Sequence, residues 1–308
     1  MLTQETDRLT VTVVTDNYYD ALRPDPPVGE RYRVRPGFPI HAEHGFSCHV
    51  TSETGGSPST FIFDYGLDGR GVVNNMVLLN IDPEGIDALG LSHGHFDHWG
   101  GLPEILKRCR KGIPFYVGDE IFLHRYSTRP GSEDLVDLGS LDREFIERHG
   151  GLNIVEVKEP IEVMPGCWLC SDIKRITGYE KGSTSLVVER NGVLEQDLFP
   201  GEMAIVANVK GKGLVVISGC AHAGIVNTVR HAQKITGIDK VHAVMGGFHL
   251  VNADPGVIEK TIADIITIGP DYIIPMHCTG FEAVTTFRNA MTEQFILNTA
   301  GTRYSFGS

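Results

Sequence analysis

The run His93-Gly94-His95-Phe96-Asp97-His98 constrains this chain more than any other stretch. It reads His-x-His-x-Asp-His, a dense set of potential metal ligands. Buried imidazoles and a carboxylate must each be partnered, so such a run makes a poor core element. It makes a good metal loop, because imidazole nitrogen and carboxylate oxygen suit zinc, iron and manganese. The apolar stretch from Ile86 to Leu91 ahead of it predicts a buried strand. Behind it, Gly100-Gly101-Leu102-Pro103 leads into a helical pattern from Glu104 to Lys111. The ligands therefore fall at a strand-to-helix junction, on the carboxyl edge where α/β sheets place their chemistry.

Bulk properties narrow the remaining options. The chain has 308 residues, 41% of them hydrophobic, enough for a substantial core. It has no apolar run long enough for a membrane helix. Its first residues, Met1 to Arg8, lack the basic and apolar regions of a signal peptide, which predicts a cytoplasmic protein. A formal net charge of -12 argues against a nucleic-acid surface. It leaves room for a small anionic substrate, because a metal pair supplies its own positive charge. Oligomeric state is not legible. Six cysteines in a chain of this size do not form a disulfide framework. Cys167 and Cys170 have CxxC spacing but lie on an alternating stretch, so they read as a reduced pair facing opposite sides of a strand.

Hydrophobic alternation predicts strands at Leu9–Val14, Cys48–Thr51, Thr60–Asp64, Ile113–Val117, Asn153–Val157, Trp168–Ile173, Thr184–Glu189, Met203–Val209, Leu214–Ser218, Val241–Met245 and Tyr272–Ile274. Helical patterns occupy Val72–Leu79, Ile225–Thr236, Gly256–Ile268 and Phe281–Phe295. Arg23 to Pro39 is irregular, rich in proline, glycine and arginine. Residues 119–150, with a loop at Arg129-Pro130-Gly131-Ser132 and a charged helix at Leu141–His149, read as an insertion over the site. His124 and Arg125 within it either meet an anionic substrate or belong to a plain charged helix. No linker divides the chain, so residues 1–308 are read as one domain of sheets covered by helices.

The motif, with Ser92 before it and Gly100-Gly101 after, resembles the metal loop of the metallo-β-lactamase superfamily. Phe61-Ile62-Phe63-Asp64-Tyr65-Gly66 is similar to that family's upstream strand ending in Asp. The resemblance extends through Ser218-Gly219-Cys220-Ala221-His222-Ala223-Gly224, Gly246-Gly247-Phe248-His249-Leu250 and Pro275-Met276-His277-Cys278-Thr279-Gly280. With Ala42-Glu43-His44-Gly45-Phe46-Ser47, these blocks are most similar to the subgroup named for 7,8-dihydropterin-6-methyl-4-(β-D-ribofuranosyl)-aminobenzene-5′-phosphate synthase. The resemblance implies a four-layer αββα sandwich. It implies one or two divalent ions, zinc first, with iron or manganese as alternatives. His93 and His95 would hold one ion, and Asp97 and His98 its neighbour. His222 and His277, each at a further strand-to-helix junction, complete the predicted ligand set.

The chain departs from the wider superfamily in one respect. Between His149 and His222 it has no histidine, and at the position expected for an Asp it offers Ser218-Gly219-Cys220. The nearest upstream acids are Asp197 and Glu202. Cys220 is a candidate neighbour of the metals, as is Asp64, whose strand-end position suits orienting a ligand histidine. His44 and Asn17 lie on loops that can line the pocket. His249 ends a strand and has two readings, a proton donor or phosphate contact in catalysis, or a helix-start contact. Asp97 is both ligand and catalytic carboxylate.

Paired divalent ions lower the pKa of a bound water to about 7 and polarise a carbonyl or phosphoryl oxygen, with no need for a Ser or Cys nucleophile. The predicted function is thus a metal-dependent hydrolase, or a phosphate-releasing lyase or synthase. Its substrate would be a small anionic metabolite, and the subgroup resemblance implies a phosphorylated one. A lactonase or thioesterase would use the same ions with an apolar pocket and a tyrosine, for which Tyr18, Tyr19 and Tyr65 are available. An iron redox protein would need a flavin-binding partner domain. A non-catalytic metal-binding protein is the remaining alternative.

Overall fold

The structure is a computed structural model that describes residues 2–128 and 134–308. Its strands form three sheets. The first has eight strands in the order β2 (Gly29–Glu30), β18 (Arg303–Gly307), β1 (Arg8–Thr15), β3 (Ser47–Thr54), β4 (Ser57–Phe63), β5 (Ala88–Leu91), β6 (Pro114–Val117) and β9 (Asn153–Glu156). The second has six, β10 (Ile161–Met164), β11 (Cys167–Cys170), β14 (Ala204–Val209), β15 (Gly213–Ser218), β16 (Val241–Gly247) and β17 (Tyr272–Met276). A smaller sheet pairs β13 (Val193–Gln196), β12 (Leu186–Arg190), β7 (Arg125–Thr128) and β8 (Leu135–Gly139). The helices are α1 (Gly69–Leu78), α2 (Phe96–Trp99), α3 (Leu102–Leu106), α4 (Arg143–Phe145), α5 (Ile225–Thr236), α6 (Pro255–Ile268) and α7 (Phe281–Ala290).

The period-two pattern of the strands sorts their side chains into layers. Phe61 and Phe63 of β4 enter the core between the large sheets with Val11, Ile217 and Met245. Ile62, between them, faces the other way and packs with Leu89 and Phe115 against Val72 and Met76 of α1 and Leu102 and Ile105 of α3. On the second sheet, Val216, Val244 and Ile273 pack against Val226 and Val229 of α5, Ile262 of α6 and Phe287 of α7. The result is helix, sheet, sheet, helix: the four-layer αββα sandwich that the family resemblance implies. Cys167 lies in the central core and Cys170 in the outer layer, so the CxxC thiols do face opposite sides and are free.

The helix ends follow local chemistry. Asp254 caps α6 by accepting the Gly256 N–H at 2.8 Å, Pro255 occupies the first turn, and Gly269 ends the helix in the left-handed region. Among the described residues no helix is long and apolar enough to cross a membrane.

Three predicted helices are shorter than their patterns, among them the one begun at Phe281, which ends at Ala290 rather than Phe295. The stretch after Gly101 is helical only to Leu106, and Arg143–Phe145 passes into a wider turn at Ile146–Gly150. Residues 125–128 are strand, not charged helix, because β7 is captured between β8, the next strand in the chain, and β12, which comes from distant sequence. The Arg129–Ser132 loop lies outside the described residues. The short edge strands β2, β10 and β13, and β18 between β2 and β1, escaped the sequence reading, since two to five residues carry too little periodicity.

Candidate metal centre

Strands β4, β5 and β6 run parallel, as do β15, β16 and β17. Their carboxyl ends deliver the chemistry: Asp64 after β4, Ser92 to His98 after β5, Cys220 and His222 after β15, His249 after β16 and His277 after β17. His95 sits just before α2 in extended conformation (φ -82°, ψ 144°), which separates its direction from those of Asp97 and His98 within the helix. Gly94 has no substitute here, because a Cβ would collide with the Arg125 guanidinium.

Two ligand triads form. His93 Nε2 lies 3.1 Å from His95 Nδ1 and 3.2 Å from His222 Nε2. His98 Nε2 lies 3.1 Å from His277 Nε2, which is 3.3 Å from Asp97 Oδ2. Cys220 Sγ, 3.2 Å from His98 Nε2, joins the two: its thiol is within ligand range of His93 with His98, and of His222 with His249.

Neighbouring groups fix the rings. Asp64, fully buried, accepts the Ser92 N–H and hydroxyl at 2.7 Å each and lies 2.6 Å from His98 Nδ1. Ser92 Oγ is 2.9 Å from His93 Nδ1. Asn17 Oδ1 is 3.3 Å from His277 Nδ1, and buried Asp16 accepts the His277 N–H at 2.9 Å. Glu202 holds the other strand end, accepting the N–H groups of His222 and Ala223 at 2.7 and 2.8 Å. Phe199 stacks on His222, with centroids 3.8 Å apart and planes 6° from parallel.

Backbone strain concentrates here. Asp64 (φ 62°), Phe199 (φ 51°), Ala221 (φ 54°), His249 (φ 42°) and His277 (φ 51°) are all left-handed non-glycine residues. Each such residue costs on the order of 1–3 kcal/mol and persists only where its surroundings over-determine it.

Burial drives the imidazoles of His93 and His222 well below the ordinary value and His95 to about 3, so their rings are neutral. Each neutral ring keeps one nitrogen lone pair, two ring nitrogens lie within hydrogen-bond distance of His93 Nε2, and the His222 Nδ1 and His249 Nδ1 atoms are buried without a partner. Three imidazole nitrogens in one triad and two imidazole nitrogens with a carboxylate oxygen in the other are a donor set that fits divalent metal.

All six predicted ligands, His93, His95, Asp97, His98, His222 and His277, come together. His222 takes its place beside His93 and His95, and Cys220 stands between the triads. His249 packs on His222 with ring centroids 4.1 Å apart. His44 lies at the rim, largely exposed, 3.5 Å from Asp97 Oδ2 and stacked on His277. The upstream acids do not reach the centre: Asp197 is taken by Arg125 at 2.8 Å, and Glu202 by the backbone. Arg125 is therefore neither a helix-surface charge nor a substrate contact but half of a buried ion pair. Sequence reasoning missed Asp16 and Phe199, which carry no motif and are recruited only by packing.

A family profile described as the metallo-beta-lactamase superfamily matches residues 54–166. The chain is 37% identical over 260 residues to the 7,8-dihydropterin-6-methyl-4-(beta-D-ribofuranosyl)-aminobenzene-5′-phosphate synthase of Methanocaldococcus jannaschii, covering 83% of this chain and 88% of that one. The structure is similar to that of Tm1679, a metal-dependent hydrolase of the beta-lactamase superfamily, with TM-score 0.76, 26% identity and coverage of 97% and 100%. A diphosphatase of the PhnP family shares the fold at TM-score 0.52 and 12% identity, covering 97% of this chain and 98% of that one.

Proposed function

The chain belongs to the metallo-beta-lactamase superfamily, and on that footing we propose that it is a metal-dependent enzyme acting on a small phosphorylated metabolite, by hydrolysis or by phosphate-releasing elimination or transfer. The observation that carries the reading is a cavity of about 620 Å³ whose walls join the centre to phosphate-binding chemistry. His222 and His249 line it on one side, and Lys181, Ser183, Thr184 and Ser185 on the other. An ammonium and several hydroxyls opposite a cationic centre suit a substrate phosphate. The name of the 37% identical relative, a synthase of a phosphate-bearing pterin compound, supports the same substrate class.

His93, His95 and His222 would hold one divalent ion, and Asp97, His98 and His277 a second, with the Cys220 thiolate between them. Bound there, such ions would supply Lewis-acid polarisation and an acidified water. The protein's own part is distinct. Asp64 and Asn17 hold the His98 and His277 rings in place. His249, on the cavity wall, delivers a proton to the departing oxygen. Phe199 shields the His222 ring from water.

The lactone alternative gains no support from the tyrosines. Tyr65 is sealed in the helix layer, Tyr19 donates to the Tyr32 carbonyl, and Tyr18 donates to Asp20.

The test is metal-loaded protein presented with phosphomonoesters, phosphodiesters, cyclic phosphates, lactones and thioesters. Turnover of phosphate compounds is expected. Activity confined to lactones or thioesters would sink the phosphate reading.

A further inference from the structure

A second cavity, of about 400 Å³, lies on the other side of His277, walled on its inner side by Asn17 and His277. Phe281, Val284, Thr285 and Arg288 of α7 all face it. They recur at one-turn spacing and form a second stripe on a helix whose Ala283 and Phe287 already face the core. Burial in the fold explains the core stripe but not this one: Phe281 is 80% exposed. Tyr18 and Phe295 complete apolar walls.

Two arginines, Arg23 and Arg288, line the same space. Other arginines nearby are spoken for. Arg31 is buried on Thr299 and the carbonyls of Pro24 and Leu297, and Arg33 pairs with Asp25 at 2.6 Å. Among the described residues, no carboxylate makes a salt bridge with Arg23 or Arg288. Asp16 also lines the cavity, but its oxygens already accept the Asn17 and His277 N–H groups and the Asn298 amide. In a chain of net charge -12, an apolar cavity lined by two guanidinium groups and a single carboxylate, whose oxygens are already engaged, has a local excess of positive charge.

We propose that this cavity is a second small-molecule site, taking a flat apolar compound that carries one phosphate or carboxylate group. The apolar body lies between Tyr18, Phe281, Val284 and Phe295, and the anion meets Arg23 and Arg288. A cavity of this volume is in the range that binds small ligands. Guanidinium groups favour planar oxyanions through paired hydrogen bonds. The site is separate from the cavity on the His222 and His249 side, so the candidate metal centre is flanked by two ligand spaces. The binding proposal stands without any assumption about the ions.

Calorimetric titration of the metal-loaded protein with phenyl phosphate, benzoate and benzyl alcohol tests it. One or both anions bind, and benzyl alcohol does not. Tighter binding of phenyl phosphate assigns the anion as phosphate, and tighter binding of benzoate assigns it as carboxylate. Arg288→Glu, at an exposed position that does not threaten the fold, weakens binding about tenfold or more. Val284→Trp, which fills the cavity, abolishes it. Repeating the titration after chelation leaves the affinity unchanged. Binding that disappears on chelation but survives Arg288→Glu would place the anion on the ions and overturn this proposal, leaving the metal-centre reading intact. Absence of binding by either anion would also overturn it.

Discussion

Asp64 Oδ2 sits 2.6 Å from His98 Nδ1, and both side chains are wholly inaccessible to solvent. Asp64 leaves β4 in the left-handed region, φ 62°, which turns its carboxylate across to the loop after β5. There it holds His98 and the Ser92 backbone together. Asp64→Asn keeps the shape and the Ser92 N–H bond but removes the charge that steadies the imidazole. Metal affinity should fall by about 10- to 100-fold, the usual cost of losing a ligand's orienting partner. Competition with a chromophoric chelator measures it, and unchanged affinity would return Asp64 to a purely structural role.

Cys220 tests whether a thiolate joins the two triads. Cys220→Ser should weaken the ion at Asp97, His98 and His277 more than the ion at His93, His95 and His222. Cobalt-loaded protein should show a thiolate-to-cobalt charge-transfer band that Cys220→Ser lacks and Cys278→Ser keeps. If the band follows Cys278 instead, the neighbour 3.2 Å away is the ligand.

His249→Ala should retain its ions and lose about 10²- to 10⁴-fold in kcat, the range of a general acid. Elemental analysis beside turnover separates the roles. Loss of metal would make His249 a ligand, and undiminished turnover would leave it a packing residue against His222.

The Arg125–Asp197 pair is buried at both ends, 3% and 1% exposed. Arg125→Met strands the Asp197 charge and should destabilise the fold by about 3–5 kcal/mol, read from denaturant unfolding. Because Arg125 also packs beside Gly94 and over Phe199, the metal loop should loosen with it.

Away from the centre, burial, aided by Arg303, holds the His49 imidazole down at about 4. The unfolded chain protonates this group near 6.5, so between about pH 6.5 and 4 the unfolded state binds the extra proton. The associated stability is full above pH 6.5 and is lost as pH falls, by at most about 1.4 kcal/mol per pH unit. His49→Gln should therefore show a shallower loss of stability than wild type across that window. Parallel profiles would show that His49 titrates as it does in the unfolded chain.

The sequence by itself determined the strands and helices that bear the site, since alternation over five or more residues and an Asp-Pro start or Gly stop are local signals. It determined the six ligand candidates too, because a strand end followed by a helix start exposes its residues wherever the fold puts them. The sheet that contains β7, the short edge strands and the partners of Asp197 and Glu202 were decided only by tertiary structure. Arg125 reads as a surface charge until β12 and Phe199 arrive from more than sixty residues away to bury it. Likewise Cys220 reads only as a candidate neighbour of the metals until strand ends of both large sheets bring His98, His222 and His277 around it. Such contacts depend on which strand ends become neighbours, and strand order comes from the packing of two sheets against each other rather than from any local run of residues.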